Sequence, residues 1–409
     1  MAAIESPKSV AVGRSRQAGA AWWTPWHDRW CAWRDRLLTD PDFQRRAARS
    51  LWLRPIVRRR ARALFDLVAG FTYTQVLLAC VRVRAFEILA EGPHSAAALA
   101  RRFELPLPAT ERLLAAAVAL DLVEHRSGGR YGLGPLGAPL VRNEAVTAMV
   151  EHHAVLYADL NDPLALLRGE GAAPALSRYW AYATAAAPGA LPRSEVDAYS
   201  ALMSASQPLV AQEVLDTYPL HGHRCLLDVG GGQGRFLLAA GQRTPTLRLM
   251  LFDLPAVVAS APAAFAAHGL ASRCTVHGGD FTRDVLPAGA DIASLVRVIY
   301  DHGDERALTI LRAVHRALPP GGSLVVAEPM AGAPDAPRMG DAYFGMYLLA
   351  MRGGRARTAP QLAALLRTAG FEQVRELPTP IPLQVGVLVC RRGGSDDQSA
   401  SPRSSVNIT

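Results

Sequence analysis

The chain has 409 residues, half of them apolar, and a formal net charge of +8. That length predicts two or three domains with ample core. Without an uninterrupted apolar run of roughly 18 residues, no transmembrane helix is expected, and the start carries no signal-peptide core. Cysteines at 31, 80, 225, 274 and 390 form no CxxC pair, so no metal site is expected and a reducing, cytoplasmic setting is. His152 and His153 have no partners at ligand spacing and read as surface or core histidines.

Residues 1–21 are small and polar, a disordered start. Residues 22–62 read as amphipathic helices punctuated by Asp40-Pro41 and Pro55. Six of the seven tryptophans lie there (22, 23, 26, 30, 33 and 52), interleaved with arginines from Arg29 to Arg62. Three readings stay open. The segment is a peripheral packing helix, an interfacial helix touching anionic lipid on the cytoplasmic face, or a nucleic-acid surface.

Residues 63–143 read as an α-helical winged-helix domain. A long helix runs from about Arg62 to Ala90. Ser95 caps a second helix, Pro106 and Pro108 mark a turn, and a third helix covers 109–121. Ser127-Gly-Gly then forms the hairpin. A DNA reader needs polar side chains on its recognition helix. Here that helix is RLLAAAVALDL, so it is expected to pack on protein and no nucleic acid is expected. Residues 144–220 form a helical linker and substrate region, where Tyr157, Tyr179, Trp180 and Tyr182 supply aromatic surface.

From 221 to 392 strand and helix alternate, with strands expected at 225–229, 247–252, 273–277, 290–296, 323–328 and 385–390. Residues 393–409 have disorder composition. The first of these strands opens LLDVGGGQGRF (226–236). Asp228 ends a buried strand, and Gly230, Gly231 and Gly232 permit a tight turn with close backbone approach to a ligand. Gly234 lets the next helix pack close. A glycine loop alone does not separate dinucleotide from S-adenosylmethionine (AdoMet) sites. LRLMLFDLP then ends in Asp253-Leu254, where an acid can accept from both ribose hydroxyls. VHGGDF supplies Asp280 and Phe281 for the adenine edge and face. Together these favour AdoMet over NAD. The loop lacks the Lys-Ser/Thr pair of an NTPase.

The order of these segments, with ALPPGG after them, resembles the plant-type small-molecule O-methyltransferases over roughly 60–392. That resemblance implies an α/β, Rossmann-like AdoMet methyltransferase domain behind an N-terminal dimerisation domain, hence a homodimer. It assigns AdoMet to Gly230–Gly234, Asp253, Asp280 and Phe281, and the acceptor side to Met203, Tyr199 and Tyr347. Segments such as HHAVLYADLNDPLALLRG (152–169) and YSALMSASQPLVAQEVLDTYPL (199–220) resemble, more narrowly, the carotenoid 1-hydroxy O-methyltransferases of phototrophic bacteria. Those enzymes methylate the tertiary hydroxyl of acyclic carotenoids in the biosynthesis of photosynthetic spheroidene or spirilloxanthin. An apolar carotenoid acceptor is the implied substrate. Another large apolar acceptor, such as a polyketide, tetrapyrrole or phenol, and a non-catalytic AdoMet-fold protein are the competing readings.

One departure stands out. Relatives place a histidine base before an Asp after the fourth strand, where LVRVIYDHGDE puts Tyr300, with His302 two residues on. Glu328 matches the first of two orienting glutamates, and Ala356 replaces the second. His302 is the expected principal base. Two other readings are an orienting Tyr300 with water taking the proton, and a catalytically weak chain. Arg297 either hydrogen-bonds near the adenosine or caps its strand.

Overall fold

The computed structural model describes residues 24–179, 193–333, 338–380 and 385–394. The expected disordered start, most of the polar tail, Trp180 and Tyr182 lie outside these residues, as do the side chains of Tyr179 and Tyr199. The chain divides into two compact units, 1–76 and 77–409.

The first unit is three helices: α1 Thr24–Thr39, α2 Pro41–Arg49 and the start of α3 Arg54–Arg82. Asp40 caps α2, its carboxylate accepting from the Asp42 amide at 2.8 Å, and Pro41 fits the first turn because it has no amide to satisfy. Pro55 sits in the first turn of α3 for the same reason, so it starts a helix. Between Trp26 and Leu77 only Ala47 is buried.

Among the described residues α3 is long and apolar enough to cross a membrane, with a mean hydropathy of 1.6 over its best window. The sequence, read for an uncharged run, did not single this helix out. Asp66 interrupts the uncharged run, yet one charge in eighteen residues leaves the average high. The long helix also ends earlier than expected. Arg84 adopts a left-handed conformation (φ 54°), and a separate α4, Ala85–Ala90, follows. An arginine is disfavoured there, so no local signal marks the break.

The second unit opens with α4. Ser95 caps α5 (Ala96–Phe103), accepting from the Ala98 amide, and α6 (Leu107–Ala119) follows. Three short strands, β1 His94–Ser95, β2 Val123–Arg126 and β3 Arg130–Leu133, pair in the order β1-β3-β2. Gly128 and Gly129, both at positive φ, make the β2–β3 turn.

The larger sheet has seven strands: β4 Cys225–Val229, β5 Arg248–Asp253, β6 Cys274–Gly278, β7 Ile292–Val296, β8 Ser323–Glu328, β9 Phe371–Leu377 and β10 Gly386–Arg392. Their order is β6-β5-β4-β7-β8-β10-β9, parallel except where β10 pairs with β8 and β9. β9 was not expected. FEQVREL carries three charges in seven residues and is mostly exposed, because it is the border of the sheet. Alternate residues of each central strand enter opposite layers: Leu227, Ala293 and Val326 on one face, Leu226, Ile292 and Val325 on the other. The chain leaves β4 for β5 on one side and reaches β7 on the other, so a crevice opens at their carboxyl ends.

Candidate active site

A cleft of about 930 Å³, counting its open mouth, lies at that crevice. Its floor is the turn after β4. Gly230 takes φ +69°, and a Cβ there would stand 2.8 Å from Val298. A Cβ on Gly231 would stand 2.3 Å from the Asp228 carboxylate, whereas one on Gly232 would meet nothing within 4 Å. The loop is thus packed from below and open above. Gly234 begins helix α7, taken here as Arg235–Arg243. A Cβ on it would come within 2.5 Å of Phe265, so only glycine lets this helix approach.

Two acids frame the loop. Asp228 accepts from the Ser294 hydroxyl at 2.6 Å, and burial raises its carboxyl to about 7. Asp253 accepts from the Gly232 and Leu254 amides, each at 2.7 Å, and burial raises it to about 6. Each Asp253 oxygen keeps a further lone pair for a ligand hydroxyl. Asp280 accepts from the Thr282 amide (2.8 Å) and hydroxyl (2.6 Å), and lines the cleft beside Phe281 and Leu254.

Arg297 pins the end of β7 to the long helix Arg193–Thr217. Its Nη1 donates to Ser206 Oγ (2.8 Å), and its Nη2 to Met203 O (3.1 Å) and Gln207 Oε1 (2.7 Å). These bonds tie the strand end to that helix, a role the sequence did not suggest. Its Nε is buried with no hydrogen-bond partner, in a residue that lines the cleft. Met203 lines the cleft as well and packs against an apolar cluster containing Tyr300 and Tyr347. Tyr347 bonds to His152 and Tyr343 to His153, both at 2.7 Å, and the Tyr300 and Phe344 rings meet edge to face. The two histidines therefore belong to this aromatic cluster.

The turn 298–304 carries the rest. Glu328 Oε1 accepts from the Val298 (3.0 Å) and Ile299 (2.7 Å) amides, and burial pushes its carboxyl up to about 8. From the opposite end, buried Arg357 donates to Ile299 O (3.0 Å), His302 O (2.7 Å) and Asp304 Oδ1 (2.7 Å). The Arg355 amide donates to Tyr300 O at 2.7 Å, with Gly354 closely packed beneath. The segment that replaced the second glutamate with Ala356 thus holds the turn by its neighbours.

Tyr300, Asp301 and His302 go three ways. Tyr300 is buried in the aromatic cluster, with its phenol raised well above the usual value by burial. His302 lines the cleft against Phe281, with ring centroids 5.6 Å apart, and burial with nearby Arg306 and Arg357 lowers it to about 3. Asp301, not singled out in the sequence, also lines the cleft. Its Oδ1 is buried without a partner, and burial followed by the nearby Glu328 charge raises it well above the carboxylate range. The missed signal was adjacency: Asp301 directly follows the residue that displaced the histidine. Gln207 was missed too, since only the fold brings that helix to the cleft.

An open glycine loop, a ribose-type acid and an aromatic wall beside unpaired buried polar atoms define the site of an AdoMet-dependent methyltransferase. The O-methyltransferase domain profile matches residues 157–372 and the O-methyltransferase dimerisation domain profile matches 65–143. The chain belongs to this O-methyltransferase family, and S-adenosylmethionine is its methyl donor. It is 46% identical over 344 residues to demethylspheroidene O-methyltransferase of Cereibacter sphaeroides, covering 84% of this chain and 90% of that protein. It is 39% identical to demethylspheroidene O-methyltransferase of Rhodobacter capsulatus, over 83% of this chain and 84% of that one. Human N-acetylserotonin methyltransferase in complex with SAM superposes with a TM-score of 0.67 at 25% identity, over 82% of this chain and 98% of that one.

Proposed function

We propose that the chain, as a homodimer, methylates the tertiary 1-hydroxyl of an acyclic carotenoid in spheroidene- or spirilloxanthin-type biosynthesis. The observation that carries this is the 46% identity across 84% of the chain to a demethylspheroidene O-methyltransferase. The apolar, aromatic surroundings of Met203 and Tyr300 suit such an acceptor, and the dimerisation domain supports the assembly.

When bound, AdoMet supplies an activated methyl group on a sulfonium, already a good leaving group. Gly230–Gly234, Asp253, Asp280 and Phe281 would hold it. What the remaining residues must do follows from the acceptor. A tertiary alcohol is far less acidic than a phenol, so no side chain can take its proton beforehand. The proton leaves with or after methyl transfer, when the oxygen has become strongly acidic and even a weak base suffices. Neutral His302, lowered to about 3, or water can then receive it. Orientation dominates instead. Asp301, which lines the cleft with a buried unpaired oxygen, is the group that holds the hydroxyl. Tyr300 supports it from the aromatic side, and Glu328 and Arg357 fix the turn that carries both.

The test is transfer of labelled methyl from AdoMet to 1-hydroxyneurosporene, against phenolic and tetrapyrrole acceptors. Label in the carotenoid supports the reading. Label only in a phenol or tetrapyrrole overturns it.

A further inference from the structure

Helices α1 and α2 lie ahead of both family profiles, which begin at residues 65 and 157, and they have almost no interior. Trp26, Trp30 and Trp33 recur at spacings of four and three, which places them on one stripe of α1, and each is exposed, Trp26 by 73%. Trp52, beyond α2, is exposed by 89%. Short helices that bury almost nothing of their own are marginal in water and need a partner. The charge identifies its kind. Residues 24–62 hold eleven arginines against four aspartates. Arg34 lies over the Trp30 ring, 5.4 Å from its centroid, so cation and indole share one surface.

We infer that α1 and α2 form an interfacial platform that docks on a bilayer surface containing anionic lipid. The indole rings sit at the headgroup level, where an aromatic body is half buried and its N–H stays wet. The guanidinium groups meet lipid phosphates and carboxylates. This inference stands on the segment itself and is independent of the acceptor proposed above.

The full chain is incubated with phosphatidylcholine vesicles with and without phosphatidylglycerol, and sedimentation and tryptophan emission are followed. Six of the seven tryptophans lie in residues 22–52, so emission reports on this segment. Binding with a blue shift is expected on the anionic vesicles, released by raised salt. Combining Trp26→Ala, Trp30→Ala and Trp33→Ala, or separately Arg29→Glu, Arg34→Glu and Arg36→Glu, is expected to weaken it by at least about tenfold. Unchanged binding in both variants overturns the inference, as does no binding by the parent chain. If the tryptophan variant turns monomeric while still binding vesicles, the occupant is a second copy. Tighter binding to a single-stranded oligonucleotide than to vesicles makes it nucleic acid. Either result rejects the lipid surface.

Discussion

The cofactor side of the cleft and its acceptor side differ in how their polar groups are used. Around Gly230–Gly234 most acidic oxygens are engaged by the chain itself. Asp253 accepts two backbone amides, Asp280 closes its own turn, and Asp228 Oδ1 takes the Ser294 hydroxyl while its Oδ2 stays unpaired. The acceptor side leaves Asp301 Oδ1 unpaired and surrounds Tyr300 with aromatic rings. Its rigidity comes from behind, where Glu328 and Arg357 grip the backbone of the turn. A nucleoside-type ligand is fixed by many directional bonds, so its half of the cleft tolerates little change. An apolar acceptor offers one hydroxyl. Its half therefore has to supply shape and one well-held polar contact.

If the acceptor half depends on support from behind, the largest single loss comes from Arg357→Ala. It strands two buried carbonyls and is expected to cost about 2–4 kcal/mol in denaturant unfolding. A cost near zero would mean the turn holds itself. On the cofactor side, Asp253→Ala is expected to weaken AdoMet binding by about 10- to 100-fold in calorimetry, with methyl transfer recovering at saturating AdoMet. Tyr300→Phe keeps the ring packing and removes only the hydroxyl beside Asp301. About a fivefold fall in kcat is expected, with AdoMet affinity unchanged. A change confined to AdoMet affinity would move Tyr300 to the other half.

The smallest effect is on pH. Asp253, Asp228 and Glu328 are raised to about 6, 7 and 8, so the folded chain holds protons that the unfolded chain releases near pH 4. That stabilisation is complete below the unfolded values and is lost as pH rises through the folded ones. Below about pH 6.5 the lowered histidines His152 and His302 oppose this trend, so the Tm of the ligand-free chain should fall between about pH 6.5 and about pH 8, less steeply in Glu328→Gln. A flat profile would place these carboxyls in wetter surroundings.

The two halves were not equally legible in the sequence. LLDVGGGQG, LFDLP and GGDF could be read because glycines and acids at strand ends have few other reasons to occur in that order. β4, β5, β7 and β8 were read for a similar reason, as largely buried apolar runs. β9 was not, because a border strand needs little apolar surface. The α3–α4 break was hidden because a left-handed arginine leaves no mark. On the acceptor side, sequence spacing pointed to His302 as base through its nearness to the vacated histidine position. Spacing could not show that burial and two arginines lower it to about 3. Nor could it show that Asp301, one residue earlier, lines the cleft and keeps a buried oxygen unpaired.

The most direct test is the single-turnover rate of methyl transfer to 1-hydroxyneurosporene at saturating AdoMet, compared between Asp301→Ala and His302→Ala. Orientation by Asp301 with late proton loss predicts about a 100-fold fall for Asp301→Ala and about threefold or less for His302→Ala. A large loss in His302→Ala with near-full activity in Asp301→Ala would contradict the account and make the imidazole the essential base.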